Sequence, residues 1–198
     1  MISYYDWPGG REAMLRFGPA EGPVVVAALP LFEEANRTRG FVVTILRLLA
    51  ERGIASALPD LPGTGESLVP TEHIRLADLR SAFACAAGPG AYSVAIRSGT
   101  LVDSSESLAC RWHLAQQPGT DLARELARIR AAGGGVDFAG NAIPEAFLAE
   151  LAEATPAEAE IASRPVTPLW RRTEPDNDLA LAPLLADDIA AWVRRCEG

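Results

Sequence analysis

Apolar positions along this chain fall into short buried runs separated by longer amphipathic ones. "ISYYDWPGGREAMLRF" predicts two short strands around Pro8-Gly9-Gly10, a hairpin turn signal. Pro23–Leu29, "PVVVAAL", is a continuous β-branched run of the kind that forms a strand buried on both faces. In "RTRGFVVTILRLLAERG", Phe41, Ile45, Leu48 and Leu49 share one helical face, and Gly53 sits where a helix stops. "IASALPD" predicts the next strand, "RLADLRSAFACAAG" a helix closed by Gly88-Pro89-Gly90, and "AYSVAI" a strand. "LACRWHLA" leans apolar and predicts another strand, followed by the amphipathic helix "TDLARELARIRAA". "PEAFLAELAEA" predicts a helix with proline in its first turn. "AEIASRPVTPLW" then predicts a last strand, and "LALAPLLADDIAAWVRR" a closing helix. This alternation predicts parallel strands, right-handed crossovers and helices on both faces of the sheet. Gly133-Gly134-Gly135 reads as a loop, so residues 1–198 are expected to form one domain.

Composition sharpens this picture only a little. Hydrophobic residues at 48% and charged ones at 22% mark a globular protein, not a disordered one. A formal net charge of −8 argues against nucleic acid or an anionic membrane as partner. Cys85, Cys110 and Cys196 are widely spaced, form no CxxC pair, and read as thiols in a reducing cytosol. No metal site and no cofactor are expected. The N-terminus lacks a basic stretch leading into an apolar core, and "VVVAALPLF" is too short to span a bilayer. The expectation is a cytoplasmic protein without membrane insertion.

Two motifs narrow the fold. In "DLPGTGES", Asp60–Ser67, the glycines permit a tight turn and Ser67 is placed to bond nearby backbone. This stretch resembles the Asp-x-x-Gly-x-Gly-x-Ser loop after the fourth strand of α/β hydrolases, and the order of predicted elements matches that superfamily. "LPLFEEANRTRGFVVTILRLLAERGIASALPDLPGTGES" further resembles a block of the α/β-fold hydrolases associated with the exosortase A system. The Pro-Phe-x-Glu-Glu-x-Asn-like loop of those proteins corresponds to Pro30–Asn36 here. "RWHLAQQPGTDLARELARIRAA", "VDFAGNAIPEAFLAELA" and "RPVTPLW" resemble their later segments. The resemblance implies an α/β-hydrolase-like fold, a mostly parallel sheet opened by a β-hairpin, and a bacterial exopolysaccharide setting. The stretch between "PEAFLAELAEA" and "EIASRPV" is too short for a further strand plus its helix. The family's seventh strand and a lid are therefore expected to be absent.

The superfamily sets its nucleophile at the centre of G-x-Nuc-x-G, on a strained turn. That turn reads Ala95-Ile96-Arg97-Ser98-Gly99 here, with arginine at the apex. A guanidinium stays protonated and cannot attack a carbonyl. The resemblance implies that this is a shared trait, since one branch of the exosortase-associated proteins carries arginine there. Ser98, one residue on, directs its hydroxyl away from the apex. The loop where the superfamily's histidine belongs, "TPLWRRTEPDND", has none, and Trp170 stands in its approximate place. His73 reads as a solvated loop residue. His113 reads as a sheet residue satisfied by neighbouring backbone; a His113–Ser98 dyad oriented by Asp103 is the alternative. Glu33 and Glu34 lie in the oxyanion-loop region, either as an acid/base pair or as helix-start carboxylates.

Three functions follow. In the first, the protein does not hydrolyse, and Arg97, Glu33, Glu34 and Asn36 serve an anionic small molecule, with Arg171 and Arg172 approaching the same face. Equally, Arg97 forms a structural ion pair with Glu33, Glu34 or Asp60. In the second, a small ester or acyl hydrolase uses Ser98. In the third, a missing strand bares apolar surface that a homo-oligomer covers, and the role is structural.

Overall fold

The most regular alternation in the chain builds one edge of the sheet. In the computed structural model, which describes residues 1–133, 142–164, 168–172, 174, 175 and 177–198, Ile2–Trp7 (β1) and Gly10–Phe17 (β2) pair antiparallel. Val24–Ala28 (β3), Ala55–Pro59 (β4), Tyr92–Ile96 (β5), Cys110–Leu114 (β6) and Glu160–Ile161 (β7) complete the sheet. Its order is β1-β2-β4-β3-β5-β6-β7. β2 meets β4 antiparallel, and every pair from β4 through β7 is parallel.

The continuous apolar runs occupy the centre, where both faces of the sheet are covered. Side chains alternate across each strand, so Val25, Leu58 and Val94 face one layer while Val26, Ala57 and Ala95 face the other. The first layer is Glu33–Glu51 (α1) and Leu181–Glu197 (α5), which bring Phe41, Ile45, Leu185 and Trp192 to the sheet. The second is Leu76–Ala87 (α2), Gly119–Gly133 (α3) and Glu145–Glu153 (α4), contributing Phe83, Leu126, Phe147 and Leu151. Phe147 and Leu151 are fully buried, so α4 belongs to the core and does not form a separate cap.

The segment expected as the last strand pairs directly with β6, and among the described residues no strand stands between α4 and β7. The sheet is shortened as the sequence implies. That last strand is only two residues long, against the expectation of a longer one; Leu169–Arg171 is a 3-10 turn, and residues 165–167 lie outside the described residues. So do residues 134–141, which include Gly134, Gly135 and the start of the segment "VDFAGNAIPEAFLAELA". α1 begins at Glu33, four residues before the expected start at Arg37. The chain turns at Phe32 (φ 59°), and Glu33 and Glu34 then fill the first helical turn, where negative charge suits the helix dipole.

The Asp60–Ser67 loop is tied as its sequence implies. Ser67 Oγ accepts from the Gly63 and Val69 amides at 3.0 and 3.2 Å and donates to Glu12 at 3.0 Å. Arg39 closes the loop from α1, 2.7 Å from Asp60.

Candidate functional site

β5 is buried along its whole length and ends at Ile96, where the chain must reverse. Arg97 makes that bend in the left-handed region (φ 54°), which costs a non-glycine residue energy and holds only where surrounding structure enforces it. A five-residue 3-10 turn, Arg97–Leu101, follows in place of a long helix. Gly99 fixes the depth of the turn: a Cβ there would stand 2.4 Å from the Leu29 carbonyl oxygen and 2.5 Å from that of Ala28. Among the described residues the non-glycine positions with positive φ are Phe32, Arg97 and Ala115. They follow β3, β5 and β6 at one end of the sheet, the end where open α/β sheets hold ligands.

The Arg97 guanidinium is held from three sides. Its Nε and Nη2 donate to the two oxygens of Glu34 at 3.1 and 3.0 Å, and Nη2 also donates to Glu125 at 3.3 Å. Its Cζ lies 4.9 Å from the centroid of the Trp170 ring, so the indole at the place expected for a catalytic histidine is a cation–π platform. The side chains of Arg97 and Glu34 are 12% and 15% exposed. Burial pushes the Glu34 carboxyl above its ordinary range, with Glu125 adding to the rise and the hydrogen bonds and charge of Arg97 opposing it. Three of the five guanidinium hydrogens are engaged; both on Nη1 lack a partner among the described residues.

Ser98 is fully buried, and its Oγ accepts the Leu31 amide at 2.9 Å. Leu31 belongs to the loop between β3 and α1, which supplies one oxyanion donor in α/β hydrolases. Here that amide clasps the loop to the elbow. His113 is buried on β6, with Nε2 2.8 Å from Asp103 Oδ2 and Nδ1 2.6 Å from the Gln116 amide nitrogen. An amide nitrogen can only donate, so the ring proton sits on Nε2 and is given to Asp103. Ser93 donates to the same carboxylate oxygen at 2.7 Å. The His113–Ser98 dyad therefore does not form: Asp103 does orient the imidazole, but both ring nitrogens are engaged and Ser98 faces Leu31. The expected backbone partner of His113 is replaced by side chains.

Arg97, Glu33 and Glu34 share a cavity of about 840 Å³ between the β3–α1 loop, the elbow, α3 and the turn at Leu169–Arg171. Asn36 is exposed and lines a second cavity of about 280 Å³, beside Arg39 and Gly65. Arg171 lines the first cavity and Arg172 does not. Glu33 pairs with Arg37 at 3.5 Å along α1. His73 is exposed in a 3-10 turn and lines neither cavity. The sequence reading missed Arg37, Gln116, Gln117, Glu125 and Arg128. A usable signal was the polar pair Gln116-Gln117 at the end of a buried strand, immediately before Pro118.

The wall carries Arg37, Arg97, Arg124, Arg128 and Arg171 against Glu33, Glu34, Asp121 and Glu125. Ion pairs join Arg37 to Glu33, Arg97 to Glu34 and Glu125, and Arg124 to Asp121. Arg128 and Arg171 have no acidic partner among the described residues, which leaves the cavity with a positive excess in a chain of net charge −8. No group of His, Cys, Asp and Glu among the described residues is arranged to hold a metal ion, and no described helix is long and apolar enough to cross a membrane.

No protein-family description matches the chain, and no curated protein is significantly similar to it. Solved structures are. Alpha/beta hydrolase domain-containing protein 10 from mouse aligns with a TM-score of 0.56 at 14% identity, over 76% of this chain and 69% of its own. An α/β hydrolase of unknown function from Agrobacterium tumefaciens aligns with a TM-score of 0.51 at 16% identity, over 61% and 62%. An epoxide hydrolase from Vigna radiata gives 0.49 at 19% identity over 58% of this chain, which spans only 39% of that enzyme. Identities this low speak to architecture alone. With the parallel sheet, the antiparallel hairpin at its edge and the left-handed elbow after β5, the mouse and Agrobacterium alignments establish that this chain has a shortened α/β-hydrolase fold.

Proposed function

We propose that this α/β-hydrolase-fold protein does not hydrolyse and instead binds an anionic small molecule in the Arg97 cavity. The observation that carries the reading is the elbow itself: its apex side chain is a guanidinium, anchored by Glu34 and Glu125 with its Nη1 edge left to a ligand. Anchoring by carboxylates fixes the fork in one geometry, which reduces the ordering cost when an anion docks. Arg128 and Arg171 add the charge that the internal pairs do not cancel. Leucine and isoleucine side chains of α3 and the Trp170 ring supply apolar contact for the rest of the ligand. The exopolysaccharide setting implied by the sequence resemblance agrees with an acidic sugar.

A thermal-shift screen of carboxylates, phosphates and sugar acids tests this. Stabilising anions should emerge, and Arg97→Met should lose them. A fluorophosphonate probe should leave Ser98 unmodified. Ser98-dependent labelling, or ester turnover abolished by Ser98→Ala, would overturn the non-hydrolytic reading.

A further inference from the structure

Two residues that line the Arg97 cavity each carry a buried polar atom with no hydrogen-bond partner among the described residues: Arg37 Nε and Gln117 Oε1. Gln117 is only 3% exposed. The orientation of its amide is fixed by chemistry. Its nitrogen lies 2.8 Å from Glu125 Oε2, and a carboxylate only accepts, so nitrogen faces Glu125 and oxygen is the atom left over. The same Glu125 oxygen receives Arg97 Nη2, which puts the Gln117 carbonyl one carboxylate away from the guanidinium. Arg37 is fixed in a similar manner, with Nη1 donating to the Trp170 carbonyl at 3.2 Å and Nη2 to Glu33 at 3.5 Å. Its Nε–H remains.

Buried polar groups in folded proteins are hydrogen-bonded as a rule, and those that line a cavity read out the polarity of what enters. One orphan is a donor on a cation and the other a neutral acceptor. Resting on the anion-binding reading above, we infer that the cavity selects a hydroxylated carboxylate. The carboxylate takes the Nη1 edge of Arg97 and Nε of Arg37, and a hydroxyl donates to Gln117 Oε1. An ammonium donor in place of the hydroxyl is disfavoured by five arginines facing four acids.

Titration calorimetry with gluconate and hexanoate, two six-carbon carboxylates that differ in hydroxylation, tests the inference. The gluconate-to-hexanoate affinity ratio should fall about tenfold in Gln117→Met, the discrimination expected of one buried hydrogen bond. In the unaltered protein, the Gln117 side-chain amide resonance should shift on adding gluconate and not on adding hexanoate, a readout that requires no variant to fold. If both acids bind through Arg97 while the ratio survives Gln117→Met, or the amide responds equally to each, the inference falls and anion binding stands. If neither acid binds, or Arg97→Met leaves both affinities intact, anion binding falls and takes the inference with it.

Discussion

Replacing Arg97 with methionine should expose how much of the elbow rests on one ion pair. Methionine keeps an unbranched apolar stem and the left-handed strain at this position, so the difference reports chiefly the guanidinium. Truncating one partner of a buried pair costs about 3–5 kcal/mol because a charge is left without compensation. Arg97 and Glu34 retain 12% and 15% exposure, and solvent access reduces the figure, so about 2–3 kcal/mol is expected near neutral pH. Glu125, 39% exposed and 3.3 Å away, adds little. The sign of the pH dependence also follows. Glu34 binds its proton more tightly in the folded protein than in the unfolded chain, so its charged form costs stability above its folded pKa. Without Arg97 that pKa rises further and the cost grows. As pH falls through the raised folded pKa toward the ordinary carboxylate value, Glu34 protonates in both states and the deficit of the variant shrinks. Urea unfolding of the parent, Arg97→Met, Glu34→Gln and the double variant at neutral and acidic pH measures this directly. A penalty under about 0.5 kcal/mol, or one equally large at both pH values, would refute the idea that desolvated charge holds the elbow.

Four further outcomes follow from the geometry. Ser98→Ala removes the buried acceptor of the Leu31 amide and should cost about 1–3 kcal/mol of unfolding free energy, measured in urea. His113→Leu removes the Nε2–H donor to the buried Asp103 carboxyl and should cost about 1–3 kcal/mol, whereas His113→Leu combined with Asp103→Asn should recover part of that loss. Gly99→Ala drives a methyl into two backbone oxygens that cannot retreat without moving β3; a loss of about 2–4 kcal/mol should appear as a lower thermal midpoint. Phe147→Ala should cost about 3–5 kcal/mol in a single cooperative transition, whereas a detachable cap would melt separately and leave the main transition in place.

The fold was legible because its strongest signals are local. The buried run at Val24–Ala28, the helical face of Phe41, Ile45 and Leu49, and the Asp60–Ser67 turn each state their structure within a few residues. Arginine at the elbow apex was equally plain once β5 had been placed. What it touches was less so. Glu34 lies 63 residues away and Glu125 28, and pairing across such gaps depends on how α1 and α3 are laid over the sheet. The ion pair with Glu34 was one of three named partners. Glu125 was not foreseen, since a glutamate on an amphipathic helix ordinarily faces solvent. Gln117 was missed for a related reason: a neutral amide in a loop carries no chemical signature until burial strips it of water. The true length of β7 was hidden because its apolar content resembled that of a longer strand.

The engagement of His113, Leu31 and Trp170 also bears on reversibility. A serine at position 97 would meet an aromatic ring where it needs a base, a loop amide already tied to its neighbour, and an imidazole whose lone pair is occupied within the sheet. On the non-hydrolytic reading proposed above, moving this chain toward ester chemistry requires several coordinated changes, since each of these groups is tied into the packing of the elbow.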